Sequence, residues 1–197
     1  MSRKSSPCFS KDHLTALKRG KLMKTIAVLG YFDRECSSII KDLKERINRK
    51  SGLNTSSLLD VPHITFTISN GSSPDKVEKA IAELRGSKIP DVTFSHFGLF
   101  KAKRTLFLGI NPSCELLMFH KKVFDRVSPV QREMSPFYSP SNWVPHCFLA
   151  DSFNCFSDIL EIDLEPVFFK SFGVTGLSVT EYDHDLGRMV HKIDIPR

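Results

Sequence analysis

Two histidines sit in closely similar hexapeptides 83 residues apart: Val61-Pro62-His63-Ile64-Thr65-Phe66 and Val144-Pro145-His146-Cys147-Phe148-Leu149. Each hexapeptide places Val-Pro-His at the start of an apolar, strand-forming run. Imidazole titrates near neutrality, so of two imidazoles brought to one cleft, one can take a proton while the other gives one. Breaking or opening a phosphodiester needs both acts: a hydroxyl or water loses a proton, and the leaving oxygen gains one. The Thr65 hydroxyl can donate a hydrogen bond to a phosphate oxygen, and an imidazolium can do the same. Such chemistry calls for no metal and no cofactor, and none is expected.

The faces follow from strand geometry. Strict alternation puts His63, Thr65 and Thr67 on one side and Ile64, Phe66 and Ile68 on the other. The same rule places His146 with Phe148 and Ala150. Cys147 then points away, as a small buried residue rather than a nucleophile.

The elements that must position these residues are legible in outline. Residues 1–23 form an N-terminal extension, and a strand at Thr25–Leu29 opens the remainder. Ile39, Ile40, Leu43 and Ile47 recur at helical spacing, with Lys41, Lys44, Glu45 and Arg46 between them, and Ser51-Gly52 ends that helix. Val61–Ser69 is a strand closed by Asn70-Gly71-Ser72-Ser73-Pro74. A second helix opens at Asp75, with Val77, Ala80, Ile81 and Leu84 on one face. Strands at Val92–Phe100 and Thr105–Ile110 are joined by a Lys101-Ala102-Lys103 hairpin. A third helix spans Cys114–Val127, with Leu117, Phe124 and Val127 inward. The stretch 128–142 holds three Pro and four Ser and reads as a long, functional loop. Strands follow at Trp143–Ala150, Val167–Phe169, Gly173–Glu181 and Met189–Ile195, with a turn at 183–187. The order gives an α+β chain without the βαβ run of a doubly wound sheet.

Composition narrows the setting. The chain has a net charge of +6 and a pI near 9.1, compatible with a phosphate-bearing partner. Seven Lys and Arg stand in the first 24 residues against one Asp, which reads as a solvated tail. Lys101, Lys103 and Arg104 also read as a solvated cluster. The five cysteines form no CxxC pair, so reduced thiols and a cytoplasmic location are expected. No apolar run approaches a membrane span, and no secretory signal is present. His96, His120, His184 and His191 have no partners at metal-ligand spacing.

The paired motifs resemble those of the 2H phosphoesterase superfamily, the LigT-like proteins historically called 2′-5′ RNA ligases, whose members carry two H-x-[ST] motifs. His63-Ile64-Thr65 matches in full. His146-Cys147-Phe148 keeps the Trp-x-Pro-His-x-x-x-Ala setting, but Phe148 stands where Ser or Thr is expected. The resemblance covers 23–197 and implies a bilobal α+β fold, with two antiparallel sheets around a central cleft and flanking helices. It makes 24–197 a single bilobal domain. It implies a metal-independent phosphodiesterase that opens 2′,3′-cyclic phosphates or cleaves 2′-5′ linkages in RNA-type or cyclic nucleotides, with His63 and His146 as acid and base in either order and Thr65 on the phosphate. Tyr31 would line the cleft and stack on a base, or else pack in the core; Tyr138 in the Ser/Pro loop is a second stacking candidate. Two alternatives stay open: hydrolysis of cyclic dinucleotide or oligonucleotide signals, and a non-catalytic nucleotide- or RNA-binding module with a degenerate second motif. A monomer is expected.

Overall fold

The computed structural model describes residues 24–51, 61–101, 104–151, 167–183 and 188–196. The extension at 1–23 and the turn around His184 lie outside them. The described elements are β1 (Lys24–Phe32), α1 (Arg34–Ser51), β2 (His63–Asn70), α2 (Pro74–Ile81), β3 (Val92–Phe100), β4 (Thr105–Ile110), α3 (Cys114–Val127), β5 (Glu133–Met134), β6 (His146–Ala150), β7 (Ser171–Phe172), β8 (Val174–Asp183) and β9 (Arg188–Pro196). They form two antiparallel sheets, ordered β5-β2-β1-β8-β9 and β6-β4-β3-β7. The α+β class and the two-sheet architecture are as expected. No described helix is long and apolar enough to cross a membrane.

One hydrophobic cluster joins both sheets. Ile26, Val28, Ile64, Phe66 and Val179 come from the first, and Phe94, Leu106, Leu108, Cys147 and Leu149 from the second. Ile40, Leu43 and Ile47 of α1, Val77 and Ile81 of α2, and Leu116, Val123 and Val127 of α3 close it. Ser113 caps α3, its hydroxyl accepting from the Leu116 amide at 3.2 Å.

Several expectations need correction. In α3 the buried stripe is Leu116, Phe119, His120, Val123 and Val127, whereas Leu117 is exposed and Phe124 only half-buried. The stripe is rotated by about one residue and includes His120, which is buried and hydrogen-bonded to backbone carbonyls. The Ser/Pro loop is not structureless: β5 pairs with the end of β2, and Pro136–Tyr138 makes a 3₁₀ turn. The strand expected at Trp143 begins only at His146, because Pro145 has no amide to donate to the ladder, although its carbonyl still accepts from Ile110 of β4. At Val167–Phe169 only an isolated bridge between Phe168 and Phe94 forms, and Phe169 has φ 59°, outside the strand region.

Candidate functional site

The two histidines are held in the same way. His63 Nδ1 lies 2.8 Å from the Val61 carbonyl oxygen, and His146 Nδ1 lies 2.7 Å from that of Val144. A carbonyl can only accept, so Nδ1 carries the proton in each ring and Nε2 keeps its lone pair. Pro62 and Pro145, standing between carbonyl and ring, restrict the backbone that makes this tether.

The strands are also irregular at the same place. In the pairing of β2 with β1, His63 faces Tyr31, Thr65 faces Leu29, and Thr67 faces Val28, leaving Phe66 as an extra residue. In the pairing of β6 with β4, His146 faces Gly109, Phe148 faces Phe107, and Ala150 faces Leu106, leaving Leu149 extra. Each bulge falls on the third residue after the histidine. A bulge inverts the alternation beyond it. Two expectations therefore fail. Thr67 joins Val28 on the core face and is fully buried, while Ile68 moves to the side of His63 opposite Ala27. Ala150 likewise turns to the core beside Leu106. His63 and Thr65 do share a face, as do His146 and Phe148.

A polar clip ties the two motif strands together. Trp143, three residues before His146, donates its indole N–H to the Thr65 carbonyl at 3.0 Å. Its ring stacks on Phe66 and lies flat against the His120 imidazole, centroids 3.8 Å apart and planes 5° apart. His120 Nε2–H is shared between the carbonyls of Phe66 (3.1 Å) and Tyr138 (3.2 Å). The bulge displaces Phe66 from the ladder, and the clip takes up its carbonyl. Burial pushes His120 down to about 4, so it stays neutral in this role.

The surroundings of the two motif histidines differ. Tyr31 sets its ring edge-on to His63 at 6.3 Å, and the Lys192 ammonium lies 4.8 Å from the Tyr31 centroid. His146 instead packs against both Phe100 (5.0 Å) and Phe107 (5.2 Å), which stack on each other at 4.3 Å. Phe148 is half-buried under Lys44, whose ammonium is 5.2 Å from the ring centroid. Loss of water around the imidazole pushes His63 down to about 4, with Lys44 and His146 adding positive charge in the same direction and the Val61 carbonyl opposing them. His146 is lowered as well, chiefly by burial. The two imidazoles thus sense each other, and both favour the neutral form at neutral pH. Burial raises the Cys147 thiol to about 11, in keeping with a packing role.

Tyr138 packs against the core, and burial holds its hydroxyl up at about 12. Ser139 donates to the Pro136 carbonyl at 2.9 Å and lies 3.3 Å from the Ser141 hydroxyl, so the loop serines are engaged with their own loop. Arg132 lines an open depression with Gly71, Ser72 and Lys76, at the opposite end of β2 from His63. Among the described residues no group of three or more His, Cys, Asp or Glu converges as a metal cluster would.

Three residues at the site escaped the sequence reading. Lys44 was placed among the polar residues between the apolar ones, yet it is four after Ile40 and three before Ile47, which is the inward stripe, and it is only 8% exposed. That signal was present. Lys192 gave none, since it depends on the pairing of β9 across β8. His96 was hidden by a third bulge, at Ser95: Phe94 faces Ile110, but His96 faces Gly109, the partner of His146.

No protein-family model and no curated protein matches the chain. Among solved structures it is similar to E. coli LigT in apo form, at TM-score 0.61 and 16% identity over 90% of this chain and 100% of that one. LigT complexed with 3′-AMP gives 0.60 and 17%, again over 90% and 100%. A structure described as a phosphoesterase gives 0.54 and 15%, over 88% and 99%. At these identities the likeness establishes the fold.

Proposed function

From a chain with the LigT-like fold and two identically tethered imidazoles, we propose a phosphodiesterase that works without metal on RNA-type or cyclic nucleotide phosphodiesters. Its reactions are the opening of 2′,3′-cyclic phosphates or the cleavage of 2′-5′ linkages. Residues 24–197 act as one bilobal unit. The observation that carries this reading is the shared tether, which presents a bare Nε2 from each Val-Pro-His turn. LigT structures with 3′-AMP and with ATP support a nucleotide as ligand.

We assign the roles from burial first and charge second. His63 feels Lys44 and His146 as well as burial, so it holds a proton least well and serves as base. In the opening of a cyclic phosphate, His63 Nε2 takes a proton from water, the water oxygen bonds to phosphorus, and one P–O ribose bond breaks. His146, entering the reaction protonated, gives its Nε2 proton to that ribose oxygen. Thr65 donates to a phosphate oxygen, and Tyr31 beside His63 or Tyr138 stacks on the base. The product is a phosphomonoester, and solvent resets both imidazoles. A profile of kcat/KM against pH should rise as His63 loses its proton near 4 and fall before the ordinary imidazole value of 6.5, where His146 loses its own. A profile flat between pH 3 and 8 counts against these roles.

A second reading, a nucleotide-binding module without turnover, is favoured by one observation: the aromatic Phe148 in place of a hydroxyl. The test is to incubate the protein with 2′,3′-cyclic nucleotides, 2′-5′ oligoadenylate and cyclic dinucleotides in EDTA, alongside His63→Ala and His146→Ala. Turnover lost in both variants supports the enzyme. Binding without turnover supports the module, and a requirement for added metal overturns the mechanism.

A further inference from the structure

The second sheet carries an imidazole that the paired motifs do not include. His96 is exposed on β3, and register places it in one cross-strand row with Gly109 and His146. The bulge at Ser95 is what turns it to that face, since Val92 and Phe94 before it are buried in the core. Gly109 between the two histidines has no side chain, and a Cβ there would fall 2.2 Å from His96 Cε1 and Nε2. The ring therefore lies across the bare glycine. Neighbouring strands stand about 4.8 Å apart, so the backbones bearing His96 and His146 are separated by about 10 Å, and the ring spans about half of that gap.

The hydrogen bonding of His96 also differs from that of His63 and His146. Its Nδ1 meets a hydroxyl, Ser95 Oγ at 2.9 Å, rather than a carbonyl. A hydroxyl can donate as well as accept, so unlike the carbonyls at His63 and His146 it allows the tautomer with the proton on Nε2, in which that atom is a donor. The motif histidines present lone pairs at Nε2; His96 is free to present an N–H there. Thr105 on β4, which pairs with Phe100 of β3, is already engaged, donating to Asp151 at 2.6 Å.

We propose that His96 is a third imidazole of the site and that its Nε2–H donates to a phosphate oxygen of the substrate, supplying the contact that Phe148 cannot make. The contact is one of hydrogen bonding only, and no bond forms or breaks at His96. The proposal rests on the phosphodiesterase reading above, and its test separates the two. Turnover of 2′,3′-cyclic AMP should fall about 10²-fold in His96→Ala, as for loss of one donor to developing charge. His96→Gln, which keeps an N–H, should retain part of the rate. Gly109→Ala, which displaces the ring without altering it, should match His96→Ala. Phe148→Thr added to His96→Ala should recover at least about tenfold, because the hydroxyl returns on β6, on the same face of the sheet.

A wild-type enzyme that turns over while His96→Ala stays within about twofold of it overturns the proposal and leaves the enzyme reading intact. Failure of the double variant to recover places the loss in the fold and also overturns it. If wild type cleaves none of the phosphodiesters, the enzyme reading fails on its own. The proposal is then decided by titrating inorganic phosphate and following the His96 ring by NMR: a saturable shift, absent in Gly109→Ala, upholds it, and an unmoved ring overturns it.

Discussion

In the first sheet His63 stands beside Tyr31 and Thr65, with the Lys192 ammonium over the Tyr31 ring; in the second, His146 packs against the stacked pair Phe100 and Phe107, with Phe148 on the same face. The backbone beneath them is nonetheless alike. Each histidine follows a Val-Pro pair, bonds the carbonyl two residues back, and precedes a bulge by three residues. What the strands share fixes an imidazole and its tautomer. What they do not share sets the neighbours of each ring: Tyr31 and the Thr65 strand position on one side, an aromatic wall on the other. The wall excludes water, which strengthens every hydrogen bond made inside it.

The largest test of this comparison is to remove the shared part. His63→Ala and His146→Ala should each lower kcat/KM by about 10³- to 10⁴-fold. The double variant should be little worse than either single one, because base and acid act on one proton balance. Losses that multiply would mean that the two imidazoles serve separate steps. Steady-state rates on a 2′,3′-cyclic nucleotide, with circular dichroism to verify folding, decide between these outcomes.

Next in size is the clip that joins the strands. His120 is 1% exposed and is pushed from 6.5 down to about 4 by burial. Because the folded state holds the neutral ring, stability is complete above pH 6.5 and is lost as pH falls toward 4. The loss should reach about 3 kcal/mol. Urea midpoints between pH 7 and 4 measure it, and His120→Gln should remove that part of the slope. An unchanged slope would mean that His120 protonates without breaking its bonds to Phe66 and Tyr138, and that the clip is not what fixes the strands.

How far the sequence revealed this site depends on the kind of signal each residue left. The Val-Pro-His repeat was legible because chemistry and spacing lie within six residues. The sheets were legible because β-branched runs between turn residues have few other solutions. The bulges were not. Alternation reads a strand as regular, so it kept Thr67 beside Thr65 and carried Ala150 with Phe148, while His96, with no partner at metal-ligand spacing, had no role. In each case one extra residue reverses the face, and only the pairing strand shows where it falls. Lys44 is a different lapse, since its helical spacing from Ile40 and Ile47 already placed it inward. Charge argued for the surface, and position was the better guide.

The unshared part of the first strand is probed by Thr65→Val, which keeps the β-branched shape and removes the hydroxyl. The rate should fall about 10²-fold, and thermal stability should change by less than about 1 kcal/mol. The half-buried Thr65 side chain shares a face with His63, and the bond from Trp143 goes to its backbone rather than its hydroxyl. A loss of stability equal to the loss of rate would make Thr65 a packing residue, and the first strand would then resemble the second more closely than the proposed roles allow.

The smallest effect is expected from making the second strand like the first. Phe148→Thr restores the hydroxyl but gives up the Lys44 ammonium over the ring, a contact of about 0.5–2 kcal/mol. It also opens the apolar wall next to His146. If a donor already reaches the phosphate from β3, the added hydroxyl duplicates an existing contact and kcat should rise less than about tenfold. Stability should fall by about 1–3 kcal/mol. A much larger gain would mean that the second strand is simply missing its contact and that nothing on the aromatic face replaces it. The size of the gain thus measures how completely the second sheet has been rebuilt around the aromatic residue: a small change in rate with a clear loss of stability marks Phe148 as part of a working wall.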